Sequence, residues 1–148
     1  DTDEYRLKLA EEKGLADIIL TPDSGNIEET IRNITGGRGA DRVFEVAGGK
    51  DTFQTAWKIA RPNAVVVIVA MYEEPQTLPL PDMYGKNLVF KTGGVDGSYC
   101  QEIMDLTACG KLDAGFLITH RCRMEEIMAA YDVFENRKEH VIKYAVTP

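Results

Sequence analysis

Residues 64–70 read AVVVIVA, an apolar run with no polar interruption. A half-buried strand would alternate apolar and polar residues, and a helix would need more length and a polar side. A run this short and uniform, entered through Arg61-Pro62, fits a strand covered on both faces, as parallel sheets require. Just upstream, Phe53, Ala56, Trp57 and Ala60 recur at helical spacing. Before them "DRVFEVAG" (41–48) is rich in β-branched and aromatic residues and reads as a second strand. Strand, helix, strand in this order predicts a βαβ unit and a parallel sheet.

The pattern continues outward in both directions. Ile27, Ile31 and Ile34 mark a helix stopped by Gly36-Gly37, and "ADIIL" (16–20) reads as a short buried strand closed by "TPDSGN". An amphipathic helix carrying Leu7 and Ala10 precedes it and ends at Gly14. Downstream, "MYEEPQTLPLPDMYGKN" (71–87), with Pro75, Pro79 and Pro81, reads as a surface loop, and "LVFKTGG" (88–94) as another strand. Tyr99, Ile103 and Leu106 mark a helix that ends at Gly110, and "FLITH" is a short extended piece. Ile127, Ala130, Tyr131 and Phe134 mark a last helix, and "HVIKYAV" a closing strand. The expected fold is α/β, a doubly wound parallel sheet with helices on both faces.

Composition sets outer bounds. The chain of 148 residues is one domain's worth, 44% hydrophobic and 28% charged. Seventeen basic against twenty-four acidic residues leave a net charge of −7, which argues against nucleic acid or an anionic membrane as partner. No apolar run reaches the roughly 20 residues of a membrane-spanning helix. Cys100, Cys109 and Cys122 are odd in number and lack CxxC spacing, which suits reduced thiols and a cytoplasmic location.

Ligands of open parallel sheets gather beyond the carboxyl ends of the strands. The positions to search are Asp1, Val46–Gly49, Val69–Tyr72 and Thr92–Gly97. Asp1 either caps the first helix or accepts hydrogen bonds from the hydroxyls of an adenosine ribose, its charge repelling a 2′-phosphate. Arg6 either reaches the same ribose or is an ordinary surface arginine. "VAGGKDTF" is neither GxGxxG nor a P-loop, so Gly48 and Gly49 serve a close base approach or a tight turn. "KTGGVDG" exposes backbone donors and acceptors at a strand end, the pair that a carboxamide needs. Glu45 inside its strand is either a general acid or a partner for a neighbouring strand or helix end. His120, Cys122 and His140 do not make a metal-ligand spacing, and no nucleophile elbow is present.

Taken together, "DTDEYRLKLAEEKGLADIIL", "GRGADRVFEVAGGKDT", "AVVVIVAMY", "NLVFKTGGV" and "LITHRCRMEEIMAAYDVFENRKEHVIKYAV" resemble the cofactor-domain half of the zinc-dependent medium-chain alcohol dehydrogenases, in the alcohol, sorbitol and threonine dehydrogenase branch. The resemblance implies that residues 1–148 form the C-terminal part of a Rossmann-like NAD-binding domain. Its GxGxxG turn, first two strands and zinc-bearing catalytic domain would then lie before Asp1. It implies NAD as cofactor, a small-molecule alcohol or polyol as substrate, zinc in the intact enzyme with no ligands here, and homo-oligomerisation through the "LVFKTGGV" edge. By residue, it places Asp1 and Arg6 at the adenosine ribose, and Val46 and Ala47 at the adenine and its ribose. Val69 and Met71 fall at the nicotinamide, Gly93 and Val95 at the carboxamide, and Lys143 near the pyrophosphate. Without the catalytic metal the fragment is expected to be inactive, and no catalytic residue is assigned to it.

Two other readings stay open on the residues: a non-catalytic nucleotide-binding or dimerisation module, and a fragment of an S-adenosylmethionine-dependent methyltransferase. A structural expectation also follows from the resemblance. Loss of two central strands leaves a gap of about 10 Å between "ADIIL" and "DRVFEVAG". "ADIIL" should then dock directly beside "DRVFEVAG", pair with another copy, or be loosely held.

Overall fold

The computed structural model describes residues 1–94 and 97–148; Val95, one of the expected carboxamide contacts, and Asp96 lie outside the described residues. The chain divides into two compact units, Leu20–Val95 and the combination of Asp1–Ile19 with Asp96–Pro148.

The first of these units holds α2 (Ile27–Ile34), β1 (Ala40–Glu45), α3 (Thr52–Ile59), β2 (Ala60–Ile68), α4 (Leu80–Met83) and β3 (Val89–Thr92). The strands form one parallel sheet in the order β1-β2-β3. The apolar run at 64–70 supplies its centre, where Val66 sits between Val43 and Phe90. The stripe read on α3 faces this sheet: Ala56 joins Val43, Ala60, Ala64 and Val66 in one buried cluster, while Phe53 and Trp57 join Met83 in another. Each large side chain buried in this way contributes about 1.5–3 kcal/mol of transfer free energy. Trp57 satisfies its indole N–H on Gln54 Oε1 at 2.8 Å. Lys86 donates to the carbonyls of Trp57, Lys58 and Ala60 at 2.5–3.0 Å, closing the C-terminal end of α3.

The other unit holds α1 (Glu4–Glu12), α5 (Cys100–Ala108), β4 (Ile118–Arg123), α6 (Ile127–Glu135) and β5 (Lys143–Thr147). β4 and β5 pair in parallel with α6 as their crossover, a second βαβ unit. Asp3 caps α1 by accepting the Arg6 N–H at 3.0 Å. The helix closes where Gly14 takes φ +63 and Leu15 N–H returns to Ala10 C=O at 2.8 Å. The same closure ends α5 at Gly110, whereas α6 ends on Arg137, which takes a left-handed φ of +50 with a full side chain.

Most of the α/β reading therefore stands: parallel pairing throughout, helices between strands, and the strand at 64–68 in the middle. Two features differ. The parallel strands lie in two sheets rather than one. "ADIIL" is not a strand; Ala16–Leu20 runs through bends. β1 has β2 along one edge and no described strand along the other, so of the three arrangements expected for "ADIIL", strand pairing beside "DRVFEVAG" is not formed among the described residues. An apolar run carries strand propensity, but a strand exists only where a neighbour completes its ladder. "FLITH" likewise begins as a 3-10 turn at Gly115–Leu117 and joins its ladder only from Ile118.

Candidate functional site

Parallel register brings the carboxyl ends of three strands level. Glu45 pairs with Ile68 and Ile68 with Thr92, so Val46, Val69 and Gly93 leave the sheet side by side. Val46 and Val69 are exposed, and Met71 is 94% exposed. They stand with the bare backbone of Gly93-Gly94 along one edge of the sheet.

Beneath this edge Glu45 is 4% exposed, the one buried charged residue among those described. Its Oε1 accepts the N–H groups of Ala47 and Gly48, each at 2.9 Å. Its main-chain carbonyl accepts Val69 N–H at 2.8 Å and Ala70 N–H at 3.2 Å. Oε2 is buried and receives no hydrogen bond of proper geometry, although the hydroxyls of Tyr72 and Thr52 stand close enough to favour the carboxylate's charge. Burial pushes the Glu45 carboxyl up. The Gly48 N–H, the Tyr72 hydroxyl, the Ala47 N–H and the Thr52 hydroxyl together pull harder, so it titrates below its ordinary value of 4.5. Burial, with help from that carboxylate, raises the Tyr72 hydroxyl above its ordinary value. Tyr72 and Thr52 share a hydrogen bond at 3.0 Å, and Thr52 also donates to Gly49 C=O at 2.9 Å.

Gly48 explains part of this packing. It takes φ +68, and a Cβ there would lie 2.8 Å from the Met71 carbonyl oxygen. The turn after β1 is thus pressed onto the segment after β2, backbone against backbone. Of the two uses left open for this glycine, the tight turn is the one its geometry displays.

Asp1, Arg6 and Lys143 belong to the other unit. Asp1 Oδ1 accepts Asp3 N–H at 3.0 Å. Arg6, half-buried on α1, reaches Val141 C=O with Nη2 at 3.5 Å, two residues before Lys143 opens β5. Arg6 and the start of β5 are therefore neighbours. His120, which makes no metal-ligand spacing, contacts Thr119 Oγ1 at 2.8 Å and lies tilted against the Tyr144 ring, 5.0 Å between centroids. Among the described residues no group of three or more His, Cys, Asp or Glu side chains is placed to hold a metal ion, so they do not fit a zinc site. Thr52 and Tyr72 are the residues of this edge whose roles the sequence hid. Their partners lie on different elements, and only the acid at a core position of "VFEVAG" signalled that something polar had to meet it.

Comparison with known proteins places the chain in a family. The alcohol dehydrogenase of Cupriavidus necator is 29% identical over 154 residues, covering 100% of this chain and 41% of its own length. The NADP-dependent isopropanol dehydrogenase of Thermoanaerobacter brockii is 30% identical, covering 90% of this chain and 40% of its own length. Among solved structures, the alcohol dehydrogenase TADH of Thermus sp. ATN1 superposes with a TM-score of 0.90 at 26% identity, over 99% of this chain and 42% of that one. The chain thus spans about two-fifths of the length of the relatives it matches. The zinc-binding dehydrogenase profile matches residues 1–111, and the chain belongs to that family.

Proposed function

We propose that this chain is the nucleotide-binding portion of a zinc-dependent oxidoreductase that transfers hydride between an alcohol or polyol and NAD. The observation that carries the reading is the level row of strand ends, where Val46, Val69 and Gly93 present exposed apolar groups and bare backbone together. In this reading Val46 and Ala47 meet the adenosine, Val69 and Met71 the nicotinamide face, and Gly93 with Val95 the carboxamide. Asp1 and Arg6 serve the adenosine ribose, and Lys143 the pyrophosphate. The cofactor supplies the hydride acceptor, and the residues of this chain hold and orient it. The metal and substrate pocket belong to the remaining length of such enzymes, so residues 1–148 alone should not oxidise alcohol.

The relatives include an enzyme named for NADP. A carboxylate at Asp1 supports NAD instead, because a 2′-phosphate would meet its charge. We also infer a homo-oligomer in a cytoplasmic setting, the latter supported by three cysteines that form no disulfide. The test replaces the matched segment of the Cupriavidus necator enzyme with residues 1–148 of this chain. The chimera should oxidise alcohol with NAD and prefer it to NADP. A folded chimera that binds neither dinucleotide overturns the reading. Calorimetry of residues 1–148 with NAD, NADP and S-adenosylmethionine separates this reading from its alternatives: a nucleotide-binding module predicts measurable NAD affinity in the chain by itself, whereas a portion covering two-fifths of a dehydrogenase predicts almost none.

A further inference from the structure

We propose that Glu45 is a positioning residue of the nucleotide site: its buried carboxylate shapes the Val46–Gly49 turn and fixes it to the end of β2. Dinucleotide affinity then depends on a side chain that does not touch the ligand. The proposal rests on the dinucleotide reading above.

The case begins with what the fold alone would choose. Position 45 points into the core face of β1, as Val43 does, and an apolar residue there would complete the pattern at no desolvation cost. A buried carboxylate is costly unless several donors meet it. Here the donors are not a partner strand or a helix end. They are the N–H groups of Ala47 and Gly48, two successive amides curled around one oxygen. Such a nest forms only when the backbone takes the turn that aims both amides inward, and the left-handed Gly48 provides it. The carboxylate thus dictates a turn geometry that an apolar residue would leave undetermined.

The same residue ties that turn to its neighbour. Its carbonyl holds the N–H groups of Val69 and Ala70. Gly48 meets the Met71 carbonyl so closely that no side chain fits between them. On the far side Thr52 bridges Gly49 C=O and the Tyr72 hydroxyl. Residues 46–49 and 69–72 are therefore one body, and Val46, Ala47, Val69 and Met71 ride on it. Loosening the turn would let these groups move independently and add their ordering to the cost of binding.

The test uses the Cupriavidus necator chimera carrying residues 1–148, with Glu45→Gln, Glu45→Leu and, as a core control, Val66→Ala. NAD affinity is measured by calorimetry, stability by thermal unfolding, and the turn by amide hydrogen exchange at Ala47 and Gly48. The Gln variant keeps a carbonyl oxygen for both amides, so affinity should stay within about threefold of the parent. The Leu variant fills the space without an acceptor, so both amides should exchange faster and affinity should fall about tenfold or more. Val66→Ala should lower stability with affinity within about twofold of the parent, because the turn is untouched. A Glu45→Leu chain that binds NAD as the parent does, or affinity tracking stability alike in Glu45→Leu and Val66→Ala, overturns the positioning role alone. A folded parent chimera that binds no NAD overturns the dinucleotide reading and the proposal with it, and is told apart because it needs no variant.

Discussion

Glu45 and Gly48 are the residues whose chemistry is most exposed to test. The Glu45 carboxyl titrates below its ordinary value in the folded chain, so the folded state favours its charge. That stabilisation is fully present above the ordinary value of 4.5 and is lost as pH falls through the lower folded value. Thermal midpoints of the parent should therefore drop more steeply below that point than those of Glu45→Gln, whose amide does not titrate. Asp41 and Asp132, held low by hydrogen bonds from Arg61 and Lys138, contribute the same slope to both proteins, so the difference isolates Glu45. Equal slopes would mean that the carboxylate is not preferentially charged in the fold. Gly48 offers a separate comparison. Gly48→Ala and Gly14→Ala both place a Cβ on a left-handed residue, at a cost of about 1 kcal/mol each. Only at Gly48 would that Cβ meet a carbonyl oxygen at 2.8 Å, while nothing lies within 4 Å at Gly14. Denaturant unfolding should show Gly48→Ala to be the more damaging by at least about 1 kcal/mol.

At the scale of elements, helix ends decide more than helix interiors. α3 ends against the ammonium group of Lys86, which sits among three carbonyls and lies 5.5 Å from the Trp57 ring centre. Burial lowers its pKa, but the carbonyls around it carry the negative end of the helix dipole. Lys86→Met keeps the apolar stem and removes the donors; it should cost about 1–3 kcal/mol in urea unfolding, and a cost near zero would show the carbonyls satisfied by water. α6 is the opposite case, ending on Arg137 where a glycine would rest. Arg137→Gly should raise stability by about 1 kcal/mol, the left-handed penalty it removes, and a lower thermal midpoint would contradict that account. These ends also mark where the sequence was legible. The stripe of Phe53, Ala56 and Trp57 and the run at 64–70 announced α3 and β2, because burial there follows a short-range period. Lys86 lies 26–29 residues from the carbonyls it caps, and no local pattern encodes that meeting. "ADIIL" failed for the converse reason: its composition spoke for a strand, but strands are made by partners. Glu45 fell between the two, visible as an acid at a core position yet with partners in the turn that follows it.

For the molecule as a whole, the sheet β1-β2-β3 raises the question of its second face. α3 covers one side through Ala56, Ala60, Ala64 and Val66. Register places Arg42, Val65 and Val89 in one row of the opposite side, and Phe44, Val67 and Lys91 in the next. Phe44 is 64% exposed and Val89 49%. Parallel sheets are stable when both faces are covered, and exposed apolar side chains on one face, beside a strand edge with no described partner, invite association. The 16.5 kDa chain should therefore associate as its concentration rises. Phe44→Lys puts a charge in the middle of that face without touching the core side of β1. Sedimentation should then return toward the monomer mass, with stability changed by no more than about 0.5 kcal/mol, as for an exposed position. Association that survives the substitution would place the contact elsewhere, the free edge of β3 included. In that case Phe44 and Val89 would be inert in solution, and the homo-oligomer would have to be built by backbone pairing instead.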